Sequence, residues 1–407
     1  MSIDRRSFLK IVGSATVAGS VATRVEATGD ALPAFAFDDD SVPMNAANLC
    51  PMPVAVTEAQ ARYARQLDRS LSTASRRSVE GRKEEARTRI AAMLGVSPDE
   101  LAIVRNTSEA NNVIVQGVPI GKDDEVLLWD QNHPSNMVAW DVQAARVGAS
   151  VRRFAVPVER ASIDEVVDIV VAAVSNSTRV LSFTHISNVT GFRLPLAEIC
   201  ARVRKRKPDV HIHIDGAQTW GAVDVDLDAA DCDSFSGSAH KWFMGPRETG
   251  ILYVRAHRVD EIWPNIVSVP WMATVDDVPD GARKFDALGQ RDDAAIAALV
   301  DTALLHEQMT PAGVEARSAL VASHLRQGLE ELDIPFVSSA RPEFASSVII
   351  LVASPQNALQ LVDAVFNDAG VQLAAVGGLR MSPHIYNSEA HNDRVIAAVA
   401  SHRQLLG

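Results

Sequence analysis

The stretch His213-Ile214-Asp215-Gly216-Ala217-Gln218 ends a β-rich apolar run on an acid and turns through glycine. Lys241 follows 26 residues later among small and polar neighbours, in Ser238-Ala239-His240-Lys241-Trp242, with Gly245-Pro246 just beyond. A lone aspartate and a lone lysine are more often solvated surface charges; here the surrounding spacing points to a site. A carboxylate beside a pyridine nitrogen keeps that nitrogen protonated and makes the ring an electron sink. A lysine opposite forms a Schiff base and afterwards moves protons. Pyridoxal 5'-phosphate (PLP) needs this pair, so Asp215 and Lys241 are the first candidates.

Four more groups carry possible chemistry. In Arg105-Asn106-Thr107-Ser108-Glu109-Ala110, hydroxyls meet backbone N–H groups at the start of a helical pattern, which suits a phosphate as well as an ordinary helix cap. Asn132-His133-Pro134-Ser135-Asn136 follows a strand, in the loop position where α/β proteins place ligands, and His133 is of a type that moves protons. His185-Ile186-Ser187-Asn188-Val189-Thr190-Gly191 closes another strand, with Gly191 permitting a close turn. Arg380 lies in Gly377-Gly378-Leu379-Arg380-Met381-Ser382-Pro383-His384; its planar fork matches a carboxylate. His211, His213 and Asp215 alternate and so share one face of a strand. That pattern could mimic a metal site, but Asp215 has a better use and both histidines suit a buried strand, so no metal is expected.

The Asp-Gly-Ala-Gln and Ser-x-His-Lys-Trp elements together resemble the class V aminotransferase group of fold-type I PLP enzymes. That group includes cysteine desulfurases, isopenicillin N epimerase-like proteins and several carbon–sulfur lyases. The resemblance covers nearly the whole chain after residue 40. It implies that Lys241 is the Schiff-base lysine, that Asp215 pairs with the pyridine nitrogen and that Gln218 reaches the ring's phenolic oxygen. Thr107, Ser108, Ser238 and His240 would hold the phosphate, while His133 stacks on the ring. Asn188 would lie near the cofactor oxygen and the substrate carboxylate, and Arg380 would grip that carboxylate. Specificity is expected from loops, at residues 263–278, where Pro270-Trp271-Met272 could form an aromatic wall, and at 45–53, where Asn45 is a substrate-binding candidate.

Two departures from the group stand out. Cysteine desulfurases carry a cysteine shortly before the arginine segment, and residues 369–383 contain none. Without a thiolate there, no enzyme persulfide forms by that route. The group also has Gly-Thr where this chain has Gly289-Gln290-Arg291-Asp292. The Gln290 amide can still donate a hydrogen bond, and reaching a neighbouring subunit's phosphate would make the protein a homodimer.

These residues need a scaffold. A helical pattern runs over 57–94. From 101 to 255, β-rich runs (125–129, 151–156, 179–184, 211–214, 250–254) alternate with amphipathic stretches (137–147, 163–174, 196–206). That alternation predicts an α/β domain with a mainly parallel sheet. The resemblance makes it the fold-type I large domain, with seven strands, followed by a smaller α+β C-terminal domain. The latter reads as two long helical stretches to about 332, a strand at 347–352, a helix at 358–369, an extended segment at 379–381 and a final helix. The expected division is a leader at 1–27, an N-terminal segment at 28–56, a PLP-binding domain at 57–290 and a small domain at 291–407.

The leader holds Asp4-Arg5-Arg6-Ser7-Phe8-Leu9-Lys10, then a mildly apolar stretch at 11–22 and Val25-Glu26-Ala27. The stretch is too short and too rich in small residues for a membrane anchor. Paired arginines in this setting resemble a twin-arginine export signal, which implies a periplasmic enzyme that binds its cofactor before export. A net charge of −12 without a long basic run argues against nucleic acid and anionic membranes. Three cysteines without CxxC spacing give neither a zinc site nor a required disulfide.

The expected activity is chemistry at the α-carbon of an amino acid or an amino-acid-containing metabolite. Aminotransferase-type tailoring of a siderophore peptide leads, on similarity to exported relatives associated with pyoverdine. Epimerisation, racemisation and β-elimination share the same core motifs. A binding protein that keeps the fold without turnover is a further alternative, and a metal-dependent hydrolase a weaker one.

Overall fold

The computed structural model describes residues 32–158, 162–268, 279–339 and 341–407. The leader and Pro270-Trp271-Met272 lie outside them.

Short runs form β1 (Leu101–Val104), β2 (Glu125–Trp129), β3 (Ser150–Phe154), β4 (Thr178–Thr184), β5 (His211–Asp215), β6 (Ser234–Ser238) and β7 (Gly250–Val254). They make one seven-stranded sheet in the order β1-β7-β6-β5-β4-β2-β3. Strands β2 to β6 pair in parallel, whereas β7 is antiparallel to both β6 and β1. Two reversals cancel, so β1 points the same way as the parallel group. The carboxyl ends of β1 to β6 therefore open on one edge. The motif Ser-Phe-Ser-Gly-Ser of β6 was absent from the strand runs read in sequence, because its small polar residues give no apolar signal.

The helices are α1 (Val54–Arg69), α2 (Thr73–Met93), α3 (Thr107–Gly117), α4 (Pro134–Val147), α5 (Ile163–Ala173), α6 (Leu196–Arg206) and α7 (Asp293–Met309). The single helix expected over 57–94 is thus two helices. Ser70 leaves the helical conformation, and the Ser72 hydroxyl caps α2 by accepting the Ser75 N–H at 3.3 Å. The apolar period continued across the break because both helices pack on α7. Val56, Ala59 and Tyr63 of α1 and Val79 of α2 share a core with Ala294, Ala297 and Ala298.

The two faces of the sheet differ. One buries Leu127, Leu181, Ile212, Ile214 and Phe235 against α2, α5, α6 and α7. The other packs Val126, Leu128, Val180 and Leu252 on α3 and α4. Register sets Ser182 beside His213 and Thr184 beside Asp215, and then His213 beside Ser234 and Asp215 beside Ser236. These six polar residues share one buried face, as strand alternation requires.

Beyond α7 come α8 (Pro311–Glu331), β8 (Ile349–Leu351), α9 (Pro355–Ala369), β9 (Ala374–Ala375), β10 (Leu379–Met381) and α10 (Glu389–Ser401). Strands β9, β10 and β8 form a small antiparallel sheet. The N-terminal segment joins this part: Val42 and Met44 enter its core, and Val42–Pro43 pairs with Val371–Gln372.

Gly250 opens β7 against the turn before α3. A Cβ there would lie 2.6 Å from Gly237 O and 2.9 Å from Asn106 Cα, and neither backbone atom yields easily. Gly250→Ala is expected to cost about 1–3 kcal/mol of stability, read from urea unfolding. A variant as stable as wild type would show that the turn has room to move.

Candidate active site

Five loops bring candidates to the carboxyl edge. Asp215 ends β5 and Ser238 ends β6, with His240 and Lys241 in the turn that follows. Asn188 follows β4, His133 follows β2, and Thr107 opens α3 after β1. Arg380 reaches the group from β10 of the small sheet.

The Asn106 side chain caps α3 by accepting the Glu109 N–H at 3.0 Å. The Thr107 N–H donates to Ser238 Oγ at 2.8 Å, and the two hydroxyl oxygens are 2.7 Å apart. This hydroxyl pair sits at a helix N-terminus, where free N–H groups and the helix dipole favour an anion. Ser108 is exposed beside it. His240 is pushed down to about 4, first by burial and then by the charges of Lys241 and Arg247. Its ring is neutral at pH 7.

Asp215 is buried, and among the described residues its carboxylate accepts only from N–H groups: Asn111 Nδ2 at 2.9 Å and the Ala217 N–H at 3.1 Å. No salt bridge reaches it among the described residues. Lys241 is half-buried. Its Nζ makes no hydrogen bond or ion pair among the described residues. Burial lowers its pKa, Arg380 adds to the lowering, and Asp215 opposes it. The shift favours the neutral amine, which is the nucleophilic form.

Arg380 is buried, and its fork touches only neutral oxygens: Nη2 donates to Asn45 Oδ1 at 3.2 Å and Nη1 to Asn188 O at 3.4 Å. Its Nε has no partner. Burial pushes it down to about 10, so it stays cationic at neutral pH. Asn45, through its side chain, and Asn188, through its backbone carbonyl, therefore meet at the arginine. Gln218 is more constrained than its assigned role suggests. Its Oε1 accepts from Trp242 Nε1 at 2.7 Å and its Nε2 donates to Ala47 O at 3.0 Å. One amide hydrogen is left for another acceptor.

His133 caps α4. Its Nδ1 accepts the Ser135 N–H at 3.2 Å and lies 2.7 Å from Ser135 Oγ. An accepting Nδ1 leaves the proton on Nε2. His133 is exposed. The surrounding protein still lowers its pKa, through desolvation first and then Lys241 and Arg380, against the opposing charge of Asp215. Its loop is fixed by Asn132, a residue assigned no role from sequence. Asn132 Nδ2 donates to Ser182 O at 2.9 Å, and its Oδ1 accepts the Thr184 N–H at 2.7 Å. Asn111 also carried no sequence assignment. The available signal was a polar residue on the face of α3 that otherwise buries Ala110, Val113 and Ile114.

Gln290 is exposed, and its amide donates to Arg291 O at 3.1 Å and Asp293 Oδ2 at 3.0 Å. Among the described residues no hydrogen bond joins it to the cluster. The three cysteines are free and buried. Cys50 comes nearest in connectivity, because its N–H donates to His240 O at 2.8 Å. Its thiol lies 3.5 Å from the Tyr386 hydroxyl, and burial pushes it up to about 12, so it is not a thiolate at neutral pH.

The site fits PLP. A buried carboxylate without a cation and a buried guanidinium without an acid are costly unless a ligand supplies the opposite charges. Pyridinium and substrate carboxylate do so. The hydroxyl-lined helix terminus would suit a phosphate, and the unpaired lysine a carbonyl carbon.

Burial also gives a pH signature. His185, His213 and His384 are each pushed down to about 3, and His211 and His306 to about 4. An unfolded histidine titrates near about 6.5. The stability from keeping these rings neutral is complete above that pH. It is lost as pH falls toward the folded values, because the unfolded chain then binds the protons. Urea midpoints should fall from pH 7 to pH 5, with a slope approaching about 1.4 kcal/mol per pH unit for each histidine. A flat profile would show that the rings are not held neutral.

Comparison with known proteins bears on the family and the fold. Residues 45–395 match the family described as Aminotransferase class-V. Isopenicillin N epimerase of Streptomyces clavuligerus is 27% identical over 334 residues, which is 77% of this chain and 83% of the relative. A cysteine desulfurase of Cronobacter sakazakii is 32% identical over 211 residues, half of each chain. A solved C-DES variant with glycine covalently linked to PLP superposes with a TM-score of 0.82 at 22% identity, covering 91% of this chain and 97% of that one. The Escherichia coli cysteine desulfurase CsdA gives 0.79 at 22% identity, covering 92% and 97%. At that identity, the structural likeness speaks for the fold.

Proposed function

Because this chain belongs to the class V aminotransferase family and is a PLP-dependent enzyme, we propose that it acts at the α-carbon of an amino acid, or of a metabolite that keeps a free α-amino and α-carboxylate group. The observation that carries this reading is Arg380: a buried cation with an unpartnered Nε and no acid partner among the described residues, opposite an unpaired lysine.

Bound PLP supplies the electron sink that makes an α-proton removable. The residues do the rest. Lys241, whose pKa is lowered by burial, would hold PLP through its carbonyl carbon and would serve as the base for the α-proton. Asp215 would accept from the ring nitrogen, Thr107, Ser108, Ser238 and His240 would hold the phosphate, and His133 would cover the ring. Gln218 has one amide hydrogen for the phenolic oxygen. Arg380 binds the substrate carboxylate through its fork, steadied by Asn45 and by the Asn188 carbonyl.

Amino-group transfer on a peptidic substrate such as a siderophore is the leading reaction. The support is the paired-arginine leader together with the absence of a thiol at 369–383. On this reading the protein is periplasmic, and it is a homodimer in which Gln290 faces the partner's phosphate. A second reading, epimerisation, is favoured by the 27% identity to isopenicillin N epimerase over most of both chains. It is also favoured by His133, whose Nε2 carries a proton it could return to the α-carbon. Sulfur transfer from cysteine is disfavoured, because the Cys50 thiol stays protonated and turns to Tyr386. A binding protein without turnover would have no use for an unpaired, neutral-leaning lysine.

The test is absorbance of the purified protein with PLP. Wild type should show a visible band removed by borohydride, and Lys241→Ala should lack the borohydride-stable adduct. Amino substrates run in deuterium oxide then separate the reactions: transfer gives the keto product, and epimerisation gives inverted, deuterated amino acid. A wild-type protein that takes up no PLP sinks the reading. Arg380→Lys should raise KM about 10- to 100-fold, the worth of a charge-assisted hydrogen bond, with a smaller effect on kcat. An unchanged KM would remove the arginine from substrate binding.

A further inference from the structure

Behind Asp215 lies a chain of buried side chains that the reaction does not touch. Asn111, on α3 four residues after Thr107, donates from Nδ2 to Asp215 Oδ2 at 2.9 Å. Its Oδ1 lies 2.9 Å from His213 Nε2 and accepts from Ser236 Oγ at 2.6 Å. His213 Nδ1 lies 2.8 Å from Ser234 Oγ, and Ser234 Oγ lies 2.9 Å from His211 Nε2. All six side chains are buried.

The protons on this chain have one consistent arrangement. An ionised carboxylate only accepts, so Asn111 must turn its NH2 toward Asp215. Its oxygen then faces His213, and His213 must carry a proton on Nε2 to donate to it. His213 is neutral, since burial pushes it down to about 3. Its Nδ1 is therefore bare and accepts the Ser234 hydroxyl hydrogen. Ser234 has then spent its one hydrogen, so His211 Nε2 donates to it. Every donor points along the chain toward Asp215.

We propose that Asn111 and His213 are positioning residues, which with Ser234 and His211 form a one-way hydrogen-bond relay holding Asp215 as an acceptor for the cofactor's ring nitrogen. The arrangement is more than packing. On the same face of the sheet, Val126, Leu128, Val180 and Leu252 fill the core with plain apolar groups. Polar groups at this depth are costly unless every partner is present, and here the chain of partners ends on the catalytic carboxylate. A reversed Asn111 amide would set oxygen against oxygen at Asp215. His213 and Ser236 prevent that reversal by donating to Oδ1. Each Asp215 oxygen already accepts one N–H and keeps acceptor capacity for the ring nitrogen.

The relay rests on PLP being the cofactor, and the test separates the two claims. Protein is reconstituted with PLP carrying ¹⁵N in the ring, and the ring-nitrogen NMR signal is read for wild type, His213→Leu and His213→Gln. Wild type should show the pyridinium position. His213→Leu should move the signal toward neutral pyridine and weaken PLP binding about tenfold. His213→Gln, whose amide donates to Asn111 Oδ1, should restore both. If His213→Leu does not fold, Ser234→Ala makes the same test without a large cavity, because it frees the His213 tautomer and should shift the signal in the same direction. A wild-type ring-nitrogen signal in a folded, PLP-loaded His213→Leu or Ser234→Ala variant would overturn the relay and leave only core packing. Wild type that takes up no PLP would overturn the cofactor reading instead.

Discussion

The structure turns on keeping two opposite charges unpaired inside the protein. Asp215 and Arg380 are both buried, and neither has an ion-pair partner among the described residues. Such groups persist only where hydrogen bonds hold them and a ligand completes them. Asp215 receives Asn111 and the Ala217 N–H; Arg380 leans on Asn45 and Asn188. Lys241 feels both charges, and burial outweighs the attraction of Asp215. A site so arranged suits a substrate that brings its own carboxylate to a cationic ring.

The fold makes this arrangement affordable by dividing the faces of one sheet. The apolar face supplies the main core, built from Leu127, Leu181, Ile212, Ile214 and Phe235 with four helices. The polar face can then carry Ser182, Thr184, His213, Asp215, Ser234 and Ser236 without loss of cohesion, since its groups bond one another across strands and to α3. Parallel pairing forces helical crossovers and so brings the loops after β2, β4, β5 and β6 to one edge. The small sheet is tied to this edge by the Arg380 contacts and by the N-terminal segment, which crosses from β10 to the His240 turn through Asn45 and Cys50.

Much was legible in the sequence. Asp215 and Lys241 stood out because an acid after an apolar strand and a lysine in a small-residue turn are both local patterns. The alternation of β-rich and amphipathic stretches gave the α/β large domain, since period two and period 3.6 are written into side-chain order. Local pattern misled where a single period ran through a break, as between α1 and α2, and where a strand lacked apolar residues, as in β6.

What the sequence by itself determined was the set of chemical groups and the loops that hold them, because loop, strand and turn residues are chosen locally. Tertiary structure alone decided which polar groups face each other. Asn111 looks like any helix asparagine until α3 lies across β5 and β6, and Asn132 like any loop residue until β4 offers Ser182 and Thr184. The resemblance assigns Gln218 to the cofactor's phenolic oxygen, and only the fold shows that Trp242 and Ala47 take most of its amide. The proton on His213 is likewise set by Asn111 and Ser234, which are distant in sequence. Hydrogen-bond partners across strands depend on register and helix placement, and those depend on the whole core.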